Sequence, residues 1–327
     1  MHNITDDGIR FDPPNVIQLI VIMSLGIAVV VSNYIVIYVI VRTRSLRSQS
    51  GVFMASGALN DSTIGVTSLV FFPYMIKGQF SNVFCSILGY LAFSAIQTRL
   101  GILTVMSVDK CLTINYPFTY PMKMSVTRVG VLVSVIFVQA YLFCLPVLLH
   151  SHTYRQHAFV CEMNWLTPSI YPYVAQTCIY LQLIIMTSSH VILFLIARQQ
   201  LKKMKELGQG GSICDKKNET SKKGWVGTNI KSQLRGIKTL FLLVGIFYIC
   251  WITYIVAQIM YPTFTRNLVQ LHVVNFLSIW LGVLNLSCNC ILYYLTNKAF
   301  CSGFKRYILH KRNTIDTETS MSLSLTG

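Results

Sequence analysis

Seven stretches of this 327-residue chain run for 22 residues or more almost without a formal charge. They cover 15–41, 48–76, 78–108, 129–150, 164–197, 239–265 and 267–297, and only Asp61 in the second and Arg99 in the third interrupt them. A helix needs about 20 apolar residues to cross a bilayer. Inside lipid, only a helix or a closed barrel satisfies its own backbone groups. The expected fold is therefore an all-α membrane protein, a seven-transmembrane helix bundle. Charged residues make up 12% of the chain, about half of what a soluble domain carries, which excludes an ordinary cytosolic enzyme, a disordered chain and a fibrous one. The organisation reads as an N-terminal segment over 1–14, a bundle over 15–297 with its longest loop at about 198–235, a short amphipathic helix over 298–309 and a tail over 310–327.

The formal net charge is +16. The basic residues fall between the apolar stretches and not on one continuous face, so the lipid bilayer accounts for them and nucleic acid does not. The loops after stretches one, three and five, together with the tail, hold 22 of the 27 Lys and Arg; the opposite loops hold four, and Arg99 lies within a stretch. Basic loops stay cytosolic. The N-terminus is thus expected outside the cell and the C-terminus inside, as in a multi-pass plasma-membrane protein. On that topology the Asn3-Ile4-Thr5 sequon is open to glycosylation and Asn218-Glu219-Thr220 is not. The ten cysteines show no CxxC pair and no zinc-like spacing. No metal site, cofactor or nucleophile–base set is expected.

The apolar stretches carry motifs in a fixed order. Ser32-Asn33-Tyr-Ile-Val36 lies in the first, and Ala58-Leu-Asn-Asp61 in the second. The third opens with Cys85 and ends in Asp109-Lys110-Cys111, followed by Tyr116-Pro117. The sixth holds Phe247-Tyr-Ile-Cys250-Trp251-Ile-Thr253. The seventh holds Asn285 and Asn289-Cys290-Ile-Leu-Tyr293, and Phe300, Phe304, Tyr307 and Ile308 follow among Lys298, Lys305 and Arg306. In this order the chain resembles a rhodopsin-like (class A) G-protein-coupled receptor, as a divergent, orphan-type member, over about residues 15–310. The resemblance implies a disulfide between Cys85 and Cys161 and a short eighth helix lying on the inner leaflet. It implies as partners a small-molecule ligand, a heterotrimeric G protein and arrestin, the last through the tail hydroxyls between Thr314 and Ser324; a merely solvated tail is the other reading of those residues. The departures are Lys110 for the motif arginine, Cys111 for its tyrosine, and Thr253, Cys290 and Gln182 for the prolines of spans six, seven and five. His190 replaces the tyrosine of span five. Without those prolines the last three spans are expected to be straighter.

Arg99 and Asp61 are each about 21 Å from opposite ends of their spans at 1.5 Å per residue, so they reach similar depth. An intramembrane charge is costly and marks a functional site. In the resembled family the span-two Asp binds sodium together with a span-three Ser and groups of span seven. Here Asp61, Asn285 and Asn289 match that set, Arg99 stands at the Ser position and Leu286 at that of a span-seven Ser. The expectation is that the Arg99 guanidinium takes the ion's place and pairs with Asp61. The bland reading leaves Arg99 snorkelling and Asp61 protonated.

In the outer half of the bundle, the resemblance places a ligand among Ala92, Phe93, Ile96, Val174, Cys178, Trp251, Tyr254, Gln258 and Trp280. Ala92 stands where amine receptors carry an Asp, and no Asp or Glu lies in the outer half of any span. Residues 267–297 contain no Lys, and Val283 stands at the retinal position. A neutral or lipid-like ligand fits this set; ordinary bundle packing is the other reading of each residue. At the inner face Asp109, Lys110 and Tyr293 are expected to meet the G protein. Lys110 keeps the charge but lacks the guanidinium's planar fork, so weaker coupling, or a non-signalling relative serving as scavenger or dimer partner, stands as the alternative. A transporter or channel needs more polar lining than one Asp and one Arg provide.

Overall fold

The structure is a computed structural model that describes residues 9–10, 14–116, 119–149, 152–155, 160–163, 170–209, 237–253 and 268–310. Its helices are α1 (Val16–Arg42), α2 (Gln49–Lys77), α3 (Asn82–Asn115), α4 (Tyr120–Lys123), α5 (Val126–Cys144), α6 (Ile170–Gln209), α7 (Ile237–Thr253), α8 (Leu268–Thr296) and α9 (Lys298–Tyr307). The seven spans are therefore α1, α2, α3, α5, α6, α7 and α8, and α9 is the amphipathic helix after them. Five of these helices are long and apolar enough to cross a membrane by length and composition. Of the other two, α2 is 29 residues long but carries Asn60 and Asp61, and α7 is described over a shorter length.

The sequence dictates where these helices begin. Asn15 caps α1, accepting from the Gln18 backbone while the Gln18 side chain accepts from the Asn15 N–H. Ser48, Ser81 and Ser125 cap α2, α3 and α5 with their hydroxyls, and Asn297 caps α9 through two backbone donors. Each such cap occupies N–H groups that the first helical turn leaves unpaired. At the far end of α2, Gly78 takes φ 65°, a left-handed conformation that suits glycine. This turn delivers the chain into the strand Gln79–Phe80, which pairs antiparallel with Ile9–Arg10. A second hairpin, His152–Arg155 with Val160–Met163, packs on α3. Periodicity at the scale of 20-residue spans gave no sign of either two-stranded sheet.

α3 is the centre of the bundle. It is buried over most of its length and packs against α2, α5 and α6. α5 instead exposes Val131, Val135, Val138 and Leu142, the surface a lipid-facing helix requires. α6 and α8 run as single helices of 40 and 29 residues, uninterrupted at Gln182 and Cys290, where the family motifs carry prolines. α6 also continues to Gln209, so 198–209, at the start of the longest loop, is helical.

α1 and α2 approach closely where two glycines face each other. A Cβ on Gly65 would lie 2.9 Å from Val30 Cγ2 and 3.0 Å from Val29 Cγ1, and one on Gly26 would lie 3.0 Å from Leu69 Cδ2. Small residues at such crossings let helix backbones pack without a hydrophobic drive between them. Replacing Gly65 by Leu should force the pair apart at a cost of about 1–3 kcal/mol. Thermal unfolding of the purified protein in detergent should show a Tm lowered by roughly 2–8 °C; an unchanged Tm would contradict the close packing.

Candidate functional site

Four helices meet at the mid-membrane charges. Arg99 Nη1 lies 3.2 Å from Asp61 Oδ2, with both side chains almost fully buried. Arg99 Nη2 donates to Asn289 Oδ1 at 3.1 Å. Asn289 in turn donates through Nδ2 to the same Asp61 oxygen at 2.7 Å, so the arginine, aspartate and asparagine close a triangle across α3, α2 and α8. Asn289 also reaches the Leu286 carbonyl at 3.2 Å, to which Asn33 of α1 donates at 3.1 Å. Asn60 donates to the Ala95 carbonyl of α3 at 2.9 Å. Asn285 is buried beside this network, yet its amide nitrogen finds no partner among the described residues.

Magnitudes explain the arrangement. At an effective dielectric near 20, opposite charges at this distance attract by on the order of 5 kcal/mol. Stripping water from each ion costs several kcal/mol. The pair therefore approximately balances its own desolvation, whereas either charge left alone would be strongly destabilising.

A second polar cluster closes the C-terminal end of α3. Asp109 is 2% exposed. Its Oδ2 lies 3.4 Å from Lys110 Nζ, and its Oδ1 accepts from the Tyr120 hydroxyl of α4 at 3.0 Å. Lys110 also donates to Ser50 Oγ in the first turn of α2 at 2.9 Å. Burial, and then the neighbouring Asp109 carboxylate, push the Tyr120 hydroxyl above the ordinary tyrosine range, so it remains a neutral donor. Cys111 donates from Sγ to the Ser189 carbonyl at 3.2 Å, tying α3 to α6. Tyr293 is buried, with its ring 5.9 Å from that of Phe300, where α8 meets α9.

The residues assigned to the outer ligand pocket divide among separate packing clusters. Phe93 packs with Tyr90, Cys144, Phe143 and Tyr171. Ile96 lies against Val29, Ile64, Ala95 and Leu286. Trp280, 4% exposed, joins Ile22, Phe71, Met75, Cys85, Leu88 and Phe276. Trp251 sits 5.8 Å from the Phe247 ring at the edge of the main core. Ala92 and Cys178 are half-buried, and Val174 is exposed. Tyr254 and Gln258 lie outside the described residues, as do Asn3, the side chain of Cys161 and the tail after His310. Cys85 is disulfide-bonded, and Cys161 lies on the strand that packs against α3. An apolar groove of about 900 Å³ along α5, including Gly130, Ser134, Val138 and Gln139, faces lipid and contains none of the assigned pocket residues.

Residues 32–293 match the family described as 7 transmembrane receptor (rhodopsin family). The chain belongs to the rhodopsin family of seven-transmembrane receptors. It is thus a multi-pass membrane receptor and not an enzyme. Among curated proteins it is 24% identical over 300 residues to the probable G-protein coupled receptor 21 of Mus musculus, covering 88% of this chain and 82% of that one. It is 24% identical over 317 residues to the histamine H2 receptor of Cavia porcellus, covering 93% and 83%. In fold it is similar to squid rhodopsin, with TM-score 0.74, 16% identity and coverage of 95% and 92%.

Against the family's motifs, sequence reading overlooked Ser50, Tyr120 and Gly57. Gly57 carried a signal, since it directly precedes Ala58-Leu-Asn-Asp61, at a position where the resembled family carries a leucine. Ser50 and Tyr120 carried none, because their contacts with Lys110 and Asp109 exist only once α2, α3 and α4 are packed.

With a guanidinium already bound to Asp61, the receptor should be indifferent to sodium. The Tm of the purified receptor should be the same in sodium chloride and in N-methylglucamine chloride at matched ionic strength. Arg99→Ser should create a sodium-dependent rise of about 2–4 °C. Sodium dependence in the native receptor, or none in the variant, would contradict this.

Proposed function

We propose that this receptor binds a neutral or lipid-like small ligand in the outer half of its bundle and activates a heterotrimeric G protein at its cytosolic end. In this reading it sits in the plasma membrane with its N-terminus outside, which the 22-to-four division of Lys and Arg between the two sets of loops supports. Arrestin is assigned to the tail hydroxyls. The chemistry of the outer half supports the choice of ligand. Ala92 cannot anchor an ammonium, and the outer halves of the spans contain no Asp or Glu, so an amine would be desolvated without a counter-charge. The likeness to a histamine receptor thus does not extend to an amine ligand. Phe93, Trp251 and Trp280 offer aromatic surface instead.

The observation that carries the signalling half is the Asp109–Lys110–Ser50–Tyr120 cluster, a charge-bearing latch at the cytosolic end of the most buried helix. In the resting arrangement Lys110 is occupied by Ser50 and Asp109. A ligand that binds better to an open bundle shifts the population toward it, and Lys110 is then released toward the G protein. Its ammonium is a point charge, and an arginine would engage more acceptors at once.

Nucleotide exchange by a panel of G proteins, measured in membranes containing the full-length receptor, tests the reading. Through its minor open population the native chain should raise exchange above receptor-free membranes, Lys110→Arg should raise it further by several-fold, and Lys110→Ala should bring it down to the receptor-free level. No exchange on any G protein with either the native chain or Lys110→Arg would favour a non-signalling role.

A further inference from the structure

Gly57 lies one helical turn before Asp61 on α2 and is buried. Leaving aside its own stretch of helix, a Cβ built on it would meet one heavy atom of the described residues within 4 Å, Nη1 of Arg99, at 2.8 Å. Among the described residues, no other helix places a backbone atom or an aliphatic side chain in that space. The same Nη1 lies 3.2 Å from Asp61, and Nη2 of the same group donates to Asn289. The guanidinium is therefore held on two sides, and the missing side chain of residue 57 leaves it a third. To clear a methyl group at residue 57, the end of the Arg99 side chain must shift from the position in which it holds both partners.

We propose that Gly57 is a positioning residue that makes the mid-membrane site specific for a guanidinium. It clears, on the helix that carries the anion, the volume that a planar cation needs and a bare metal ion does not. This rests on the reading of Arg99 as the resident cation and adds a second requirement to it: the charge swap at position 99 works only beside an absent side chain at position 57. Glycine inside a helix is otherwise less stable than alanine. Among the described residues outside its own stretch of helix, Arg99 is what its missing Cβ would meet, and the use of this glycine is therefore tied to Arg99.

A double-mutant cycle isolates this coupling, because the effect of one substitution should change sign with the other. Native receptor, Gly57→Ala, Arg99→Ser and the double variant are compared by Tm in detergent buffer containing sodium chloride, so that sodium can balance Asp61 where Arg99 is absent. Gly57→Ala should lower Tm by about 2–4 °C in the native background and leave it unchanged or raise it when Arg99→Ser is present. If Gly57→Ala alone yields no folded receptor, adding Arg99→Ser should restore it. An equal fall in both backgrounds, no fall in the native background, or no restoration by Arg99→Ser would overturn the proposal. The sodium response of Arg99→Ser alone reports on the ion pair separately, so failure of the cycle with that response intact rejects Gly57's role and leaves the pair standing.

Discussion

An arginine and an aspartate 3.2 Å apart in the interior of a lipid-embedded bundle can be tolerated only together. Each would be expelled or neutralised if its partner moved a few ångströms away. The pair therefore fixes the distance between α2 and α3 at mid-depth, and the surrounding contacts serve that distance. Asn289 bridges both charges from α8, and Asn33 of α1 holds the backbone of α8 one turn away, at Leu286. One turn beyond Asp61 on α2, the Gly26 and Gly65 contact brings α1 against α2. Four helices are thus locked in one register by a charge balance that a mobile metal ion would leave adjustable.

The same helix links this centre to the Asp109–Lys110 cluster at its C-terminal end. Arg99 and Lys110 are 11 residues apart on α3, which is about 16 Å along the axis and within about 20° around it on an ideal helix. Both cations are held by residues of α2, Arg99 by Asp61 and Lys110 by Ser50. In the proposed mechanism, a rotation of α3 against α2 that strains the central pair also draws Lys110 away from Ser50. A tethered central cation makes that rotation more costly, which favours the resting arrangement and agrees with the modest coupling expected of a lysine at position 110.

The parts of this architecture set by one-dimensional pattern were legible in the sequence. Hydropathy runs gave the spans, since lipid demands a continuous apolar helix wherever the chain crosses. The alternation of Phe300 and Phe304 with Lys305 and Arg306 gave the helix after the bundle. Asp61 and Arg99 were conspicuous because charge is so rare in the spans. What stayed hidden depends on three-dimensional packing. Ser50 and Tyr120 are ordinary residues until α2 and α4 bring them to the C-terminal end of α3. Gly57 matters through an atom it lacks, which no composition scan weighs. Ile96 and Trp280 of the outer-half assignment lie in apolar clusters with α1 and α2, since a register on one helix does not say which neighbour a side chain will meet.

The central claim is that Asp61 and Arg99 neutralise each other, and removing both tests it most directly. Asp61→Leu, Arg99→Leu and the double variant are compared with the native receptor by the yield of folded receptor and by Tm. Each single substitution should cost about 3–5 kcal/mol by stranding a buried charge, and the double variant should recover most of the loss. Additive losses in the double variant would mean that the two charges do not depend on each other, and the account built on their pairing would be wrong.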